Sequence, residues 1–153
     1  MLTDKLIKLL EKLEFISVAT CDFEGRPNAV PKFLLKVDKD CVYMVDYTIG
    51  TTWKNLKINP RVSISFMDHT TLKGYQLNGK ADIITRGREY NKLCKEMTAK
   101  EIRLTTQHII EDVRGESMHE TFELVITEKF VVLKIKIDEI VDIGVKGELN
   151  RQK

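Results

Sequence analysis

The stretch Gly50-TTWKNLKINPRVSIS-Phe66 changes within a few residues from a helical pattern to a strand pattern. It is long enough for a helix of about two turns, and either Thr51 or Thr52 is expected to cap the start of that helix. The dipeptide Asn59-Pro60 ends the helix, because the residue before a proline disfavours the helical conformation. From Arg61 onward apolar and polar residues alternate, as in a half-buried strand. The stretch therefore predicts a short helix that leads directly into a strand.

Strand patterns lie on both sides of this helix, and the links between them are short and polar. Links of this length are too short for a parallel crossover, so we expect antiparallel pairing. Six strands joined in this way predict a mainly β fold, a small antiparallel barrel without exposed sheet edges. The runs are FISVATCD (15–22), AVPKFLLKV (29–37), CVYMVDY (41–47), RVSISFM (61–67), GYQLNGKADII (74–84) and FVVLKIKI (130–137). A further run, EIVDI (139–143), is expected to add a short edge strand.

Two other segments have a helical pattern. Residues 2–13 place apolar residues on one face and charges of both signs on the other, which favours packing on the domain over membrane binding. Thr3 or Asp4 is expected to cap this helix. From about Arg88 to Val113 the period of two is lost, and a helix in two pieces is expected. We therefore predict a single domain over residues 1–153, with a helical insert at about 88–120.

Composition argues against several classes of protein. The chain has 153 residues, a formal net charge of +2 and 42% hydrophobic residues. The balanced charge does not fit a general nucleic-acid binder, and no apolar run approaches the roughly 20 residues of a membrane span. The three cysteines have no C-x-x-C spacing, and no export signal is visible. A cytoplasmic location is therefore expected.

The start of the central helix is a candidate phosphate site. The first N–H groups of a helix have no partners within it, and they carry the positive end of the helix dipole. An anion placed there gains charge-assisted hydrogen bonds. The hydroxyls of Thr51 and Thr52 and the cation of Lys54 could add to them. The same residue types also fit a plain cap and a solvated lysine, so the residues by themselves leave both interpretations open.

Standard catalytic motifs are absent from the sequence. It contains no G-x-S-x-G, no G-x-x-x-x-G-K-[ST] and no H-E-x-x-H. His69, His108 and His119 are dispersed and lack the spacing of a helical metal pair, so no metal site is expected. If the protein performs chemistry, we expect a bound cofactor to supply it.

The N-L-x-x-N-P-R-V run at Asn55 to Val62 and the G-x-A at Gly79 to Ala81 occur in a specific order among the strands. Over nearly the whole chain, this order resembles the pyridoxamine 5′-phosphate oxidase-like family of FMN-binding split barrels. The resemblance implies a six-stranded antiparallel split barrel and a homodimer with two FMN sites in the clefts between subunits. It also implies an oxidoreductase that passes hydride or electrons through the flavin.

The resemblance further implies a set of cofactor-binding residues. In the family the second strand lies along the isoalloxazine edge, largely through its backbone. The end of the third strand also borders the flavin, and the loop and helix start bind the phosphate. The matching residues here are Pro31, Lys32, Phe33, Leu34, Val45, Asp46, Gly50, Thr51, Thr52, Trp53, Lys54 and Asn55. None of them is expected to act as a catalytic acid, base or nucleophile.

Three features depart from the family pattern. Thr51 and Thr52 stand where many members carry an Arg-Lys or Lys pair, so nearby lysines must help to neutralise the phosphate. Asp46 stands where a small hydroxyl residue is common, and its carboxylate is unfavourable near a phosphate unless it points away. The end of the chain, VDIGVKGELNRQK, lacks the arginine-containing motif of the enzymes that make pyridoxal phosphate. Pyridoxamine phosphate is therefore not expected as the substrate.

Several alternatives stay open at this point. The same fold could bind a deazaflavin, or a haem with His69 or His119 as the axial ligand. The barrel could also have lost cofactor chemistry and act as a binding or sensing module. Lys32 could lie over the flavin or face outward from its strand. Trp53 could stack on the flavin or pack in the core or in a dimer seam.

Overall fold

The computed structural model describes residues 2–47, 50–114 and 130–153. Within them lie three helices and seven strands. The helices are α1 (Asp4–Leu10), α2 (Thr51–Ile58) and α3 (Arg88–Arg114). The strands are β1 (Phe15–Cys21), β2 (Pro27–Val37), β3 (Cys41–Asp46), β4 (Arg61–Asp68), β5 (Lys73–Ile84), β6 (Val131–Ile143) and β7 (Leu149–Gln152). No helix among these residues is both long and apolar enough to cross a membrane.

The strands form one antiparallel sheet in the order β3-β2-β1-β4-β5-β6-β7. A second pairing, between β3 and β6, closes β1 to β6 into a barrel. The predicted mainly β fold with a six-stranded antiparallel barrel is confirmed. The separate edge strand expected at 139–143 is wrong, because those residues form the second half of β6. A β-bulge at Asp138 bends β6 there without ending it, and β7 then pairs with that second half.

The hydrophobic core fills the barrel with side chains that alternate along each strand. On β5, Tyr75, Leu77, Gly79 and Ala81 are buried, while the residues that alternate with them are half-buried or exposed. From α1, Leu6 and Leu10 add to the same core. Burial of one large apolar side chain stabilises a fold by about 1.5–3 kcal/mol. The period of two along each strand therefore determines which face of the sheet becomes the interior.

The ends of the first two helices differ in how they are capped. Thr3 caps α1 as expected, since its Oγ1 accepts a hydrogen bond of 3.3 Å from the backbone N–H of Leu6. Neither threonine caps α2, because the helix begins at Thr51 and its N-cap is Gly50, which has no side chain to accept a bond. At the other end, Asn59 is the C-cap before the proline, as the sequence predicts.

The chain divides into two compact units, Met1–Thr85 with Phe130–Lys153 and Arg86–Lys129. The first unit contains the barrel, and the second contains α3. The expected division of this helix into two pieces is wrong, because α3 is continuous from Arg88 to Arg114. The segment around Thr98 contains no glycine or proline. Within the helix, Thr98 Oγ1 donates a hydrogen bond of 3.2 Å to the Cys94 carbonyl oxygen. Residues 115–120 of the predicted insert lie outside the described residues.

Gly79 of β5 lies where the backbone of β6 leaves no room for a side chain. It lies beside the bulge, where the pairing register shifts between Asn78 and Gly79. A Cβ built on Gly79 would overlap the carbonyl oxygen of Lys136. The G-x-A motif therefore has a steric reason here, since backbone atoms of two strands occupy the space that a side chain would need.

We predict that Gly79→Ala lowers the free energy of unfolding by about 1–3 kcal/mol, the usual cost of forcing atoms into a packed site. Gly74→Ala in the same strand is the matched control, because its Cβ would lie 3.3 Å from the Cβ of Ile143. We expect that variant to stay within about 1 kcal/mol of the wild type. Urea unfolding of the three proteins measures both effects. Equal stability of the two variants would contradict this account of Gly79.

Candidate functional site

The first half of β2 has one edge that is not used in the sheet. Residues 27–33 pair with β1 on one side, whereas β3 pairs with β2 only from Phe33 to Val37. Among the described residues, no strand covers the second edge of residues 27–32. Backbone N–H and C=O groups require hydrogen-bond partners, so this edge can serve a ligand. Pro31 lies exposed within this stretch.

The start of α2 presents uncapped backbone donors. Its N-cap is Gly50, no side chain among the described residues caps it, and its first turn contains no acidic residue. Thr51 and Lys54 are both exposed at this end of the helix. The first N–H groups of the helix, the hydroxyl and the cation together form an electropositive surface that suits an anion.

A buried polar network connects the start of α2 to β1 and β2. Asn28 Nδ2 donates to Thr52 Oγ1 at 3.1 Å and to Thr20 Oγ1 at 3.4 Å. Asn55 Nδ2 donates to the same Thr20 hydroxyl at 3.1 Å. Thr20, Thr52 and Asn55 are each at most 5% exposed. The side chains of Thr52 and Asn55 are therefore engaged inside the protein, whereas Thr51 is the hydroxyl of this pair that reaches solvent.

Sequence reasoning did not identify Thr20 and Asn28 as site residues. They lie opposite each other in the β1–β2 ladder. Thr20 continues the buried alternation of Ile16 and Val18, so it occupies an interior position with a polar side chain. A polar residue at such a position needs a hydrogen-bond partner inside the protein, and this mismatch is the signal that could have identified it.

Lys32 and Asp46 form a buried ion pair. Lys32 Nζ lies 2.6 Å from Asp46 Oδ1, and the two side chains are 9% and 0% exposed. Lys32 is opposite the core residue Ile16 and two positions before the core residue Leu34, so it points to the interior of the barrel. This placement differs from an outward-facing strand lysine. The carboxylate of Asp46 has a cationic partner, which limits its repulsion of a nearby phosphate.

The apolar residues predicted to border a flavin occupy different layers of the fold. Leu34 belongs to the barrel core. Phe33 is 1% exposed and packs edge-to-face against Phe15, with ring centroids 5.6 Å apart. Val45 is buried and lies opposite Phe33 in the β2–β3 ladder. Trp53 packs partly against the core, and Lys57 Nζ lies 4.1 Å from its ring centroid.

A groove of about 670 Å³ runs across β1, β4, β5 and β6, and Thr20 of the polar network is one of its lining residues. None of the predicted cofactor-binding residues lines it. Within it, Asn78 Nδ2 donates to Glu139 Oε2 at 2.6 Å, and Arg151 pairs with the other carboxylate oxygen at 3.2 Å. The hydrogen bond from Asn78, followed by that from Arg151, holds the pKa of Glu139 below its ordinary value. Among the described residues, no group of three or more His, Cys, Asp or Glu could hold a metal ion.

We predict that removal of either partner of the Lys32–Asp46 pair strongly destabilises the barrel. Asp46→Asn and Lys32→Met should each lower the free energy of unfolding by about 3–5 kcal/mol, because each leaves a buried charge without its counter-ion. The double variant Lys32→Met/Asp46→Leu should recover most of that loss, since it buries no charge. Urea unfolding measures all three proteins.

The control for this experiment is Arg26→Met. Arg26 pairs with Asp22 at 2.7 Å, but its side chain is 70% exposed. Exposed ion pairs contribute little to stability, so we expect this variant to unfold like the wild type. Single variants of the buried pair that also unfolded like the wild type would contradict the prediction.

Comparison with known sequences gives one relative of unassigned activity. An uncharacterized protein of Methanocaldococcus jannaschii is 31% identical over 99 residues, which are 63% of this chain and 64% of that protein. The match thus spans a little under two thirds of the relative's length.

Solved structures share the fold at low sequence identity. HupZ of Group A Streptococcus has a TM-score of 0.65 and 24% identity, over 95% of this chain and 96% of that one. A pyridoxamine 5′-phosphate oxidase-related, FMN-binding protein of Nostoc punctiforme has a TM-score of 0.59 and 15% identity, over 95% and 82%.

Two further structures with this fold are named for other cofactors. A heme binding protein from Mycobacterium smegmatis has a TM-score of 0.62 and 15% identity, over 94% of this chain and 54% of that one. An F420 reductase has a TM-score of 0.58 and 18% identity, over 92% and 96%.

A family model gives the assignment that these structures do not. The model for pyridoxamine 5′-phosphate oxidase matches residues 2–143, from α1 to the end of β6. By this match and by its barrel, the chain belongs to the pyridoxamine 5′-phosphate oxidase family.

Proposed function

We propose that this protein binds FMN and acts as an oxidoreductase that passes hydride or electrons through the flavin. The proposal rests on one observation: the start of α2 and the second edge of β2, whose backbone groups can both bind a ligand, lie side by side. The start of α2 is tied by Asn28 and Thr52 to β2, whose second edge at residues 27–32 no described strand covers. A phosphate and a flat, hydrogen-bonding ring joined in one molecule would use both surfaces together.

The residues at the start of α2 fit the phosphate end of FMN. Gly50 has no side chain beside the first N–H groups, and Thr51 and Lys54 add a hydroxyl and a cation. The backbone N–H groups of Thr52 to Asn55 contribute to the positive end of the helix dipole, while the side chains of Thr52 and Asn55 hold the helix in place. Two hydroxyl residues at 51 and 52 are compatible with phosphate binding in this way, without an Arg-Lys pair.

The edge of β2 fits the polar side of the isoalloxazine ring. Backbone groups of residues 28–32 can exchange hydrogen bonds with the ring's carbonyl and N–H groups. Pro31 contributes a carbonyl but no N–H, so it limits which ring atoms can face it. In this proposal Lys32 does not contact the flavin. It lies in the interior, where its ion pair with Asp46 holds the end of β3 against β2.

When bound, the flavin would supply the redox chemistry, and the protein would bind it, orient it and control access to it. The proposed binding surface contains no histidine, cysteine or carboxylate in contact with solvent, since Asp46 is 0% exposed. We therefore assign no catalytic acid, base or nucleophile.

A homodimer is part of this proposal. Neighbouring strands β1 and β4 carry small outward side chains opposite each other, Ser17 with Ser65 and Ala19 with Ser63. A face with such short side chains allows a second sheet to approach closely. Two copies of the chain that met on this face could enclose a flavin between them.

Haem and deazaflavin remain the alternative ligands, because structures with this fold are named for each. Haem would need an axial ligand. Of the two histidines considered for this role, His69 is exposed in the turn after β4, and His119 lies outside the described residues. A Soret band in the purified protein that disappeared in His69→Ala or His119→Ala would favour haem over FMN. A non-catalytic binding or sensing module would retain the dimer and bind no redox cofactor.

We predict that the protein binds FMN and that Thr51→Ala weakens this binding by about 1.5–3 kcal/mol, the range of a hydrogen bond to a charged group. Lys54→Gln should weaken it further, because it removes a cation from the same helix end. Absorption bands that stay with the protein on a sizing column and bleach with dithionite report binding, and flavin fluorescence measures the Kd.

Lys57→Gln is the matched control, since Lys57 is an exposed lysine in the last turn of the same helix. It should leave FMN affinity unchanged. If Lys54→Gln and Lys57→Gln behaved alike and Thr51→Ala had no effect, the phosphate would bind elsewhere. If the purified protein retained no FMN, the proposal would be contradicted.

A further inference from the structure

Asn28 lies where the two parts of the proposed site meet. Its side-chain amide is 3.1 Å from Thr52 Oγ1, and Thr52 is the second residue of α2. Its backbone belongs to the stretch of β2 whose second edge no described strand covers. One side chain therefore connects the helix start to the strand edge.

A second contact fixes the direction of the helix. Asn55 lies about one turn after Thr52 and donates to Thr20 Oγ1 at 3.1 Å, while Asn28 donates to that same oxygen at 3.4 Å. Thr20, Thr52 and Asn55 are buried and Asn28 is half-buried, so water replaces a bond lost at the Thr20 or Thr52 oxygen only poorly. A helix held at two points one turn apart cannot pivot freely, so Asn28 and Thr20 help to set the direction of its first N–H groups, together with the core packing of Leu56.

We propose that Asn28 is a positioning residue that makes the site selective for a flavin with a terminal phosphate. The inference rests on the proposed function. In FMN the ring and the phosphate are at opposite ends of one short chain. Both ends can bind well only if the strand edge and the helix start keep a fixed separation. Riboflavin lacks the phosphate, so its binding does not depend on that separation.

The test compares FMN with riboflavin in the same variants. The Kd of each flavin is measured by fluorescence titration for the wild type, Asn28→Ala and Thr52→Val. Thr52→Val keeps the shape of the side chain and removes the oxygen that accepts from Asn28. We expect the Kd for FMN to rise about tenfold in both variants, which corresponds to one lost hydrogen bond. The Kd for riboflavin should stay as in the wild type.

Two further variants make the result specific. Thr52→Ser retains the accepting oxygen and should restore the preference for FMN. Asn78→Ala removes another half-buried strand asparagine. Its amide donates to Glu139 at 2.6 Å, in the groove across β1, β4, β5 and β6. It should change the Kd of neither flavin. Circular dichroism melts check that each variant is folded, and Thr52→Val decides the question if Asn28→Ala does not fold.

The outcomes separate this inference from the proposed function. Equal losses for FMN and riboflavin, or an unchanged Kd for FMN, would overturn the role of Asn28 while the wild type still binds FMN. A wild-type protein that binds neither flavin would overturn the proposed function, and the inference with it. A selective loss for FMN that Thr52→Ser reverses would support the inference.

Discussion

The pairing of β3 with the first half of β6 is the contact on which the rest of the structure depends. It joins residues 41–46 to residues 131–136 across a long gap in sequence and closes the sheet into a barrel. Because β3 ends at Asp46, β2 extends beyond it, and no described strand covers its second edge there. The same closure creates an interior in which the alternating apolar side chains can meet. The end of β3 thus determines the position of the candidate site, and the pairing of β3 with β6 encloses the core.

The interior is not uniformly apolar. Near the start of α2 it contains the Thr20, Asn28, Thr52 and Asn55 network, and further along β2 it contains the Lys32–Asp46 pair. Buried polar groups cost free energy unless their partners are well placed, and they specify one arrangement more strongly than apolar contacts do. An interface of apolar contacts alone would fix the position of α2 on the strands less precisely. The polar contacts specify one position of the helix, at some cost in stability.

The sequence could predict those features of the fold that depend on local patterns. Alternation along β4 and β5 predicted their inward faces, and Asn59-Pro60 predicted the end of α2. It could not predict contacts between distant residues, such as Asn28 with Thr52, because no local pattern encodes a pairing 24 residues apart. The orientation of Lys32 was also beyond it, since a lysine is buried in a barrel only when a counter-ion such as Asp46 is already opposite. The bulge at Asp138 was missed for a similar reason, because it belongs to the pairing of β6 with Asn78 and Gly79 on another strand.

β7 affects how one molecule meets another. Without it, residues 140–143 of β6 would present an open ladder beside buried apolar residues such as Val141. Open ladders of this kind recruit strands from neighbouring molecules and can start fibrils. β7 covers this ladder with 4 residues, and Arg151 places a charge on it that is bonded to Glu139 at 3.2 Å. Because β7 is short and polar, a strand of a neighbouring molecule pairs with it poorly. β7 therefore disfavours the growth of the barrel into a filament.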